Sequence, residues 1–351
     1  MRTRYKSFSM TIFAVILTGC HPKVSYPGYT QVGVVGGETY FVDAGTIVRA
    51  SVPGYSLLTG TQIVQHVDRS YTLGPIYVNC QVKRSFVQES TTFDPTGKVL
   101  SSGKAAVQQE DDVISFFCSK AAKVPFIKGP YDTKSALDVF LGADNSRWEP
   151  EIPEQFNNVF ESSGKSFEAS VLLNETFHES GTLKHLLVIS SVPTGDYSCH
   201  GCQTLISALI LKEVGDAWFE DSRNTYMAAA GSYGAPPDAH LVQMGPDKYG
   251  FYLESGSMSQ GVGNDHKDYY AAIGPKVESV LGVQTSSSEA DSVGTIETAA
   301  TTTMKFGPSV TGGFYDVSLE SHGTEFDDTG SITNVNSFQR CKMSSAAYEC
   351  H

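Results

Sequence analysis

The 351-residue chain reads as a mainly β protein of two sheet domains, the second larger and β-sandwich-like, with few helices. Three observations predict this. Short runs rich in Val, Ile, Tyr, Phe and Thr recur along the chain with polar alternation, and Gly, Pro, Asn and Asp separate them, as strands and turns require. One segment, Thr133 to Leu141, reads as a helix. Apolar residues make up 40% and charged residues 18%, the balance of a folded chain long enough for two ordinary cores.

The chain opens with a basic head (Arg2, Arg4, Lys6), an apolar run from Met10 to Leu17, and Leu17-Thr18-Gly19-Cys20, a lipobox ending in the first cysteine. The apolar run is too short for a permanent membrane span and has the form of a cleaved secretory leader, residues 1–19. Cys20 is therefore expected to become the first mature residue and to carry acyl chains such as palmitate. More than one chain on a residue anchors stably where one does not. The chain then reads as a bacterial envelope lipoprotein, and His21 rather than Asp after the cysteine favours the outer membrane. The formal net charge is −13, and loss of three basic leader residues makes the mature chain more acidic, at −16. Such a surface repels phosphate backbones, so nucleic acid is excluded as a partner, and membrane association rests on the anchor.

Residues 20–37, Pro- and Gly-rich, read as a lipidated tether. Strands are expected at Thr39–Val42, Thr46–Val52, Thr61–Val67, Tyr77–Glu89 and Val113–Phe117, with a turn at Asp94-Pro95-Thr96-Gly97. Tyr40-Phe41-Val42-Asp43, Thr46-Ile47-Val48-Arg49, Tyr77-Val78-Asn79-Cys80 and the closing Cys118 resemble the surface-adhesin protein E family over residues 38–122. The resemblance implies a curved antiparallel sheet with a C-terminal helix, a disulfide between Cys80 and Cys118, and lipid-anchored binding to host matrix or serum proteins.

Residues 123–165, with Pro125, Pro130, Pro150 and Pro153, read as a linker holding the short helix. Strands resume in the second β-rich domain, residues 166–351. Phe167–Phe177 and Leu183–Val192 flank a Glu179-Ser180-Gly181 turn as a hairpin. Leu205–Lys212 fits a strand and a helical face alike; the Gly215-Asp216 turn before Trp218-Phe219 favours a strand pair. Further strands are expected at Ala239–Met244, Tyr249–Glu254, Tyr269–Ile273, Met304–Phe306 and Phe314–Leu319. Residues 284–303, rich in Ser, Thr, Ala and Glu, read as a long mobile loop.

Six cysteines remain after Cys20: Cys80, Cys118, Cys199, Cys202, Cys341 and Cys350. An even number in an exported chain predicts three disulfides, among fifteen pairings. Cys341 and Cys350 enclose a short loop suited to a local staple. Cys199-His200-Gly201-Cys202 is open to three readings: a structural disulfide, with each other or with distant partners, a redox motif, or half a zinc site. The surrounding strand signals favour the disulfide, because redox use needs an adjoining helix. His200, His240, His266 and Cys202 could converge on a metal, but nothing in their spacing demands it, so no metal is expected. Gly164-Lys165-Ser166 lacks the phosphate-loop glycine at Val159; Gly231-Ser232 and Gly256-Ser257 lack a nucleophile elbow; Asp327, Asp328 and Asn334 do not follow a calcium-loop pattern. No catalytic residue and no cofactor are therefore expected. The function expected is a protein-binding, adhesin-like module, with an envelope assembly component as the alternative and CxxC chemistry third.

Overall fold

A computed structural model of the chain describes residues 25–52, 55–80, 83–87, 89–103, 107–108, 110–141, 156, 166–259, 261–290, 295–327 and 329–351. The lipobox with Cys20, most of 142–165 and residues 291–294 lie outside them. Among the described residues the protein is mainly β, with two α-helices and two large sheets.

The first sheet holds β1 (Thr30–Val35), β2 (Glu38–Val42), β3 (Val48–Val52), β4 (Tyr55–Gln65), β5 (Tyr71–Asn79), β6 (Arg84–Val87), β7 (Ser90–Phe93), β8 (Val99–Gly103) and β9 (Val107–Gln108). Its path runs β1-β2-β4-β5-β6-β9, with β3 on β4 and β7 and β8 branching from β5. Three expectations are corrected here. The tether does not extend to residue 37, because Thr30–Val35 already pairs with β2 as a strand. Tyr77–Glu89 is two strands, β5 and β6, paired antiparallel. Val113–Phe117 lies in helix α1 (Asp111–Lys120). There, Val113, Ile114 and Phe117 form a one-sided buried stripe, and Asp111 and Asp112 at the start and Lys120 at the end suit the helix dipole. Burial against the sheet outweighs the strand preference of Val, Ile and Phe. The stripe packs on Tyr40, Val42, Leu58, Val64, Ile76 and Val78.

Residues 123–141, expected as linker, are part of the packed structure. β10 (Ile127–Lys128) pairs with β14 (Ala217–Ala230), and α2 (Thr133–Leu141) buries Ala136, Phe140 and Leu141 in a core shared with the second sheet. That sheet also contains β11 (Phe167–Glu179), β12 (Thr182–Pro193), β13 (Thr204–Val214), β15 (Asp238–Gly245), β16 (Lys248–Ser259), β17 (Val262–Ile273), β18 (Lys276–Ala290), β19 (Ile296–Thr311), β20 (Phe314–Phe326), β21 (Ile332–Met343) and β22 (Tyr348–Cys350). All its pairings are antiparallel except β14 with β18, so the second domain is one hydrogen-bonded sheet of thirteen strands.

The sheet nevertheless packs on itself as a sandwich would. Leu186 and Val188 of β12 and Ile206, Ala208 and Ile210 of β13 meet Phe251, Leu253 and Tyr270 of β16 and β17. Their neighbours Leu187, Ile189, Leu205, Leu209 and Leu211 face α2 and Phe126 on the opposite side. Burial on both faces explains the continuous apolar runs of β12 and β13 and resolves Leu205–Lys212 as a strand. A further core joins Tyr269, Val280 and Val283 to Phe314, Val317, Met343 and Tyr348. The β11–β12 turn takes positive φ at Ser180 (52°) and Gly181 (73°), the two-residue hairpin geometry.

The loop expected at 284–303 is replaced by strand. β18 runs to Ala290 and β19 starts at Ile296, and the two pair from Ser286↔Thr301 to Ala290↔Ile296. Polar composition misleads here because the distal halves of β18 to β21 form an arm exposed on both faces. Between 284 and 290, 296 and 303, and 318 and 340, Thr298 and Ala300 are the only described residues that are buried. Such strands need ladder partners rather than apolar alternation.

Candidate functional site

Where β5 passes from one partner to another, the first sheet divides. Tyr71–Leu73 pairs with β7, and Ile76–Asn79 pairs with β6. Between them stand Gly74 and Pro75. Proline has no N–H to give a ladder. A Cβ on Gly74 would lie 2.6 Å from the Glu89 carbonyl oxygen, so only glycine allows the close passage of the two chains. Hollows open on both faces of this division. One, of about 140 Å³, is lined by Gln62, His66, Thr72, Ser90 and Thr92. The other, shallow and about 780 Å³, is lined by Leu73, Pro75, Glu89, Thr91 and Ser102.

A row of polar side chains crosses four strands to the smaller hollow. Thr39 stands opposite Gln65, which brings the neighbouring Glu38 and His66 together, and Thr72 stands opposite Thr92. His66 Nδ1 lies 2.7 Å from Glu38 Oε1, His66 Nε2 lies 2.7 Å from Thr72 Oγ1, and the hydroxyls of Thr72 and Thr92 are 3.0 Å apart. At the far end the Tyr40 hydroxyl donates towards Glu38 and Glu110, both at 3.1 Å. Burial first, and then these two carboxylates, push the Tyr40 pKa far above the usual phenol range, so it remains a donor.

The order carboxylate, imidazole, hydroxyl is that of an activated nucleophile. Oxyanion stabilisation is a separate requirement, and Thr72 sits between Val64 and Thr92 in paired strands, so its main chain is committed to the sheet. The arrangement suits recognition of a polar group entering the hollow. Sequence reasoning missed this row. The usable signal was a histidine and a threonine, His66 and Thr72, flanking the turn Val67-Asp68-Arg69-Ser70, which is closed by a 2.9 Å bond from the His66 amide to the Ser70 carbonyl.

The six expected cysteines pair as Cys80–Cys118, Cys199–Cys202 and Cys341–Cys350. The first joins the end of β5 to α1. The second closes a turn between β12 and β13, with the Cys202 amide on the Cys199 carbonyl at 2.9 Å. No helix starts there to stabilise a thiolate. His200 instead contacts the Tyr233 hydroxyl at 2.6 Å. His240 stacks on Tyr252, and among the described residues no three His, Cys, Asp or Glu side chains converge as metal ligands. Asp327 organises its own turn by accepting from Thr329 and Ser331, which holds its carboxyl below the usual range, the Thr329 hydroxyl contributing most.

A second feature is the outer strand of the arm. β22 covers β21 at Cys341–Met343, and the Arg340 and His351 main chains exchange both hydrogen bonds. Strand alternation then turns the amides and carbonyls of Ile332, Asn334, Asn336 and Phe338 away from β20, to an edge that no described strand pairs. From Ile332 to Gln339 the edge has no charge and no proline, the devices that ordinarily guard an edge. Ile332 and Phe338 are 54% and 57% exposed on it.

No protein-family model and no curated protein matches the chain. Among solved structures, a point mutant of B. megaterium levansucrase aligns over 92% of this chain and 82% of its own at 8% identity and a TM-score of 0.23, a likeness too low to bear on fold or activity.

Proposed function

We propose that this chain is a lipid-anchored protein of the bacterial envelope, held by Cys20, whose work is to bind a protein partner rather than to catalyse. The observation that carries the reading is the unguarded β21 edge on an arm exposed on both faces. Four residues direct main-chain donors and acceptors outward there, and Ile332 and Phe338 supply apolar contact. An extended segment of a partner adds to such an edge by main-chain hydrogen bonds, with side chains giving selectivity. A first sheet closed by a C-terminal helix and the Cys80–Cys118 disulfide supports the likeness to surface-adhesin protein E, and with it a host matrix or serum protein as the partner.

Purified mature chain tested against matrix and serum proteins at micromolar concentration is expected to bind at least one. Asn336→Pro removes one outward amide while leaving the β20 ladder, and is expected to weaken binding at least tenfold at unchanged melting temperature. Failure to bind any of these proteins contradicts the host-adhesin reading.

A further inference from the structure

Between the two sheets lies a group of charges that the binding edge does not use. Arg49 of β3 and Arg223 of β14 have side chains only 8% and 10% exposed. They share one carboxylate oxygen: Glu220 Oε2 lies 3.3 Å from Arg49 Nη1 and 3.4 Å from Arg223 Nη1. Arg49 also donates to the Ala121 carbonyl at 3.3 Å. Each guanidinium lies 4.8 Å from the centre of an aromatic ring, Arg49 over Phe126 and Arg223 over Phe140.

These contacts leave two needs unmet. Among the described residues two cations face one anion, a surplus of one positive charge in a desolvated place, where an uncompensated charge is costly. Desolvation, only partly offset by Glu220 and reinforced by Arg223, brings Arg49 down to about 10. In addition, the Nε of each arginine is buried and, among the described residues, has no acceptor.

The same residues wall a cavity. Arg49, Arg223 and Glu220, with Leu58, Val78, Cys80 and Ala121, line a partly open hollow of about 60 Å³. A water-sized occupant needs only about 10–15 Å³ by this measure, so the space admits a small ion. It is too small for a sugar acid. Water would satisfy the N–H groups but not the charge; a small anion satisfies both.

We propose that this cavity binds one chloride-sized monovalent anion between Arg49 and Arg223, and that the anion clamps the first sheet to the second. The anion accepts N–H donors from both arginines and neutralises the surplus charge, so its loss loosens the contact between β3 and β14.

The test uses the purified mature chain, melted in sodium chloride and in sodium gluconate at equal ionic strength, with chloride-35 NMR line broadening as a direct readout. Chloride is expected to raise the melting temperature by a few degrees, saturably, where gluconate does not. Arg223→Met is expected to abolish both the shift and the line broadening. Glu220→Gln, which removes the competing carboxylate and keeps both arginines, is expected to tighten chloride binding about tenfold, and covers the case in which Arg223→Met does not fold. Equal melting in chloride and gluconate, or a chloride shift of the same size in wild type and Glu220→Gln, overturns the proposal and assigns the response to bulk salt.

Discussion

Stability should fall between pH 6.5 and pH 4, and His185 should be the cause. This histidine of β12 is 5% exposed, stacks on Tyr131 with ring centroids 3.4 Å apart, and stands edge-on to Trp218. Nε2 bonds to the Asn174 side-chain oxygen, which also accepts from the Tyr131 hydroxyl, and Nδ1 is buried with no partner among the described residues. A proton on Nδ1 would be a buried donor with nothing to receive it, and desolvation lowers the His185 pKa from 6.5 to about 4. Above pH 6.5 folded and unfolded chains are both neutral at this residue, so nothing is lost. As pH falls, the unfolded chain takes up the proton first, and stability declines until the folded pKa is reached. The distance from 6.5 to about 4 corresponds to a ceiling of about 3 kcal/mol, which solvent screening reduces to about 1–2 kcal/mol. His185→Phe keeps the stacking and cannot titrate. Urea denaturation at pH 7 and pH 4.5 should therefore show wild type losing about 1–2 kcal/mol more than the variant. The comparison cancels groups common to both, including Asp268, whose raised pKa works in the opposite direction. Equal losses in the two proteins would refute the reasoning.

Three further outcomes follow from the packing. Gly234→Ala should destabilise by several kcal/mol in chemical denaturation, at least about 2, because φ is +73° and a Cβ would stand 2.0 Å from the Tyr197 carbonyl oxygen. Phe117→Ala, at 0% exposure in the core between α1 and the first sheet, should cost about 3–5 kcal/mol and release α1, read as lost helical circular dichroism. Replacing each disulfide in turn by serines should rank the losses by loop length: about 4 kcal/mol for Cys80–Cys118, about 2.5 for Cys341–Cys350 and about 1.5 for Cys199–Cys202, from separations of 38, 9 and 3 residues. An equal or reversed order in melting experiments would show that the bridges act through something other than loop closure.

Much of the β architecture was legible because local chemistry and burial agree there. Ile76 and Val78 are buried on either side of the half-buried Tyr77, as in a strand with one face inward, and Gly181 suits the positive φ of the Glu179-Ser180-Gly181 turn. Legibility failed where tertiary context decides. Val113-Ile114-Ser115-Phe116-Phe117 has strand composition, but the sheet beneath it buries a helical stripe. Ser286–Ala290 cannot be read from apolar alternation because both its faces meet water, and the ladders to β17 and β19 make it strand. The Glu38–His66–Thr72–Thr92 row depends on register across four strands, and the Arg49–Glu220–Arg223 group joins residues more than 170 positions apart. Only the His66 and Thr72 that flank one turn leave a mark in local spacing; the carboxylates and arginines that complete the two groups come from distant strands. The cysteines were legible as a set, while their pairing at Cys199 and Cys202 needed the turn geometry.

The open edge of β21 is tested most directly by amide hydrogen exchange, resolved by residue, on the mature chain with and without a captured partner. Strand addition predicts an alternating result: Asn334, Asn336 and Phe338 gain protection on binding, whereas Val335 and Ser337, whose amides already face β20, change little. Protection confined to the first sheet, or uniform along β21 without alternation, would contradict the account.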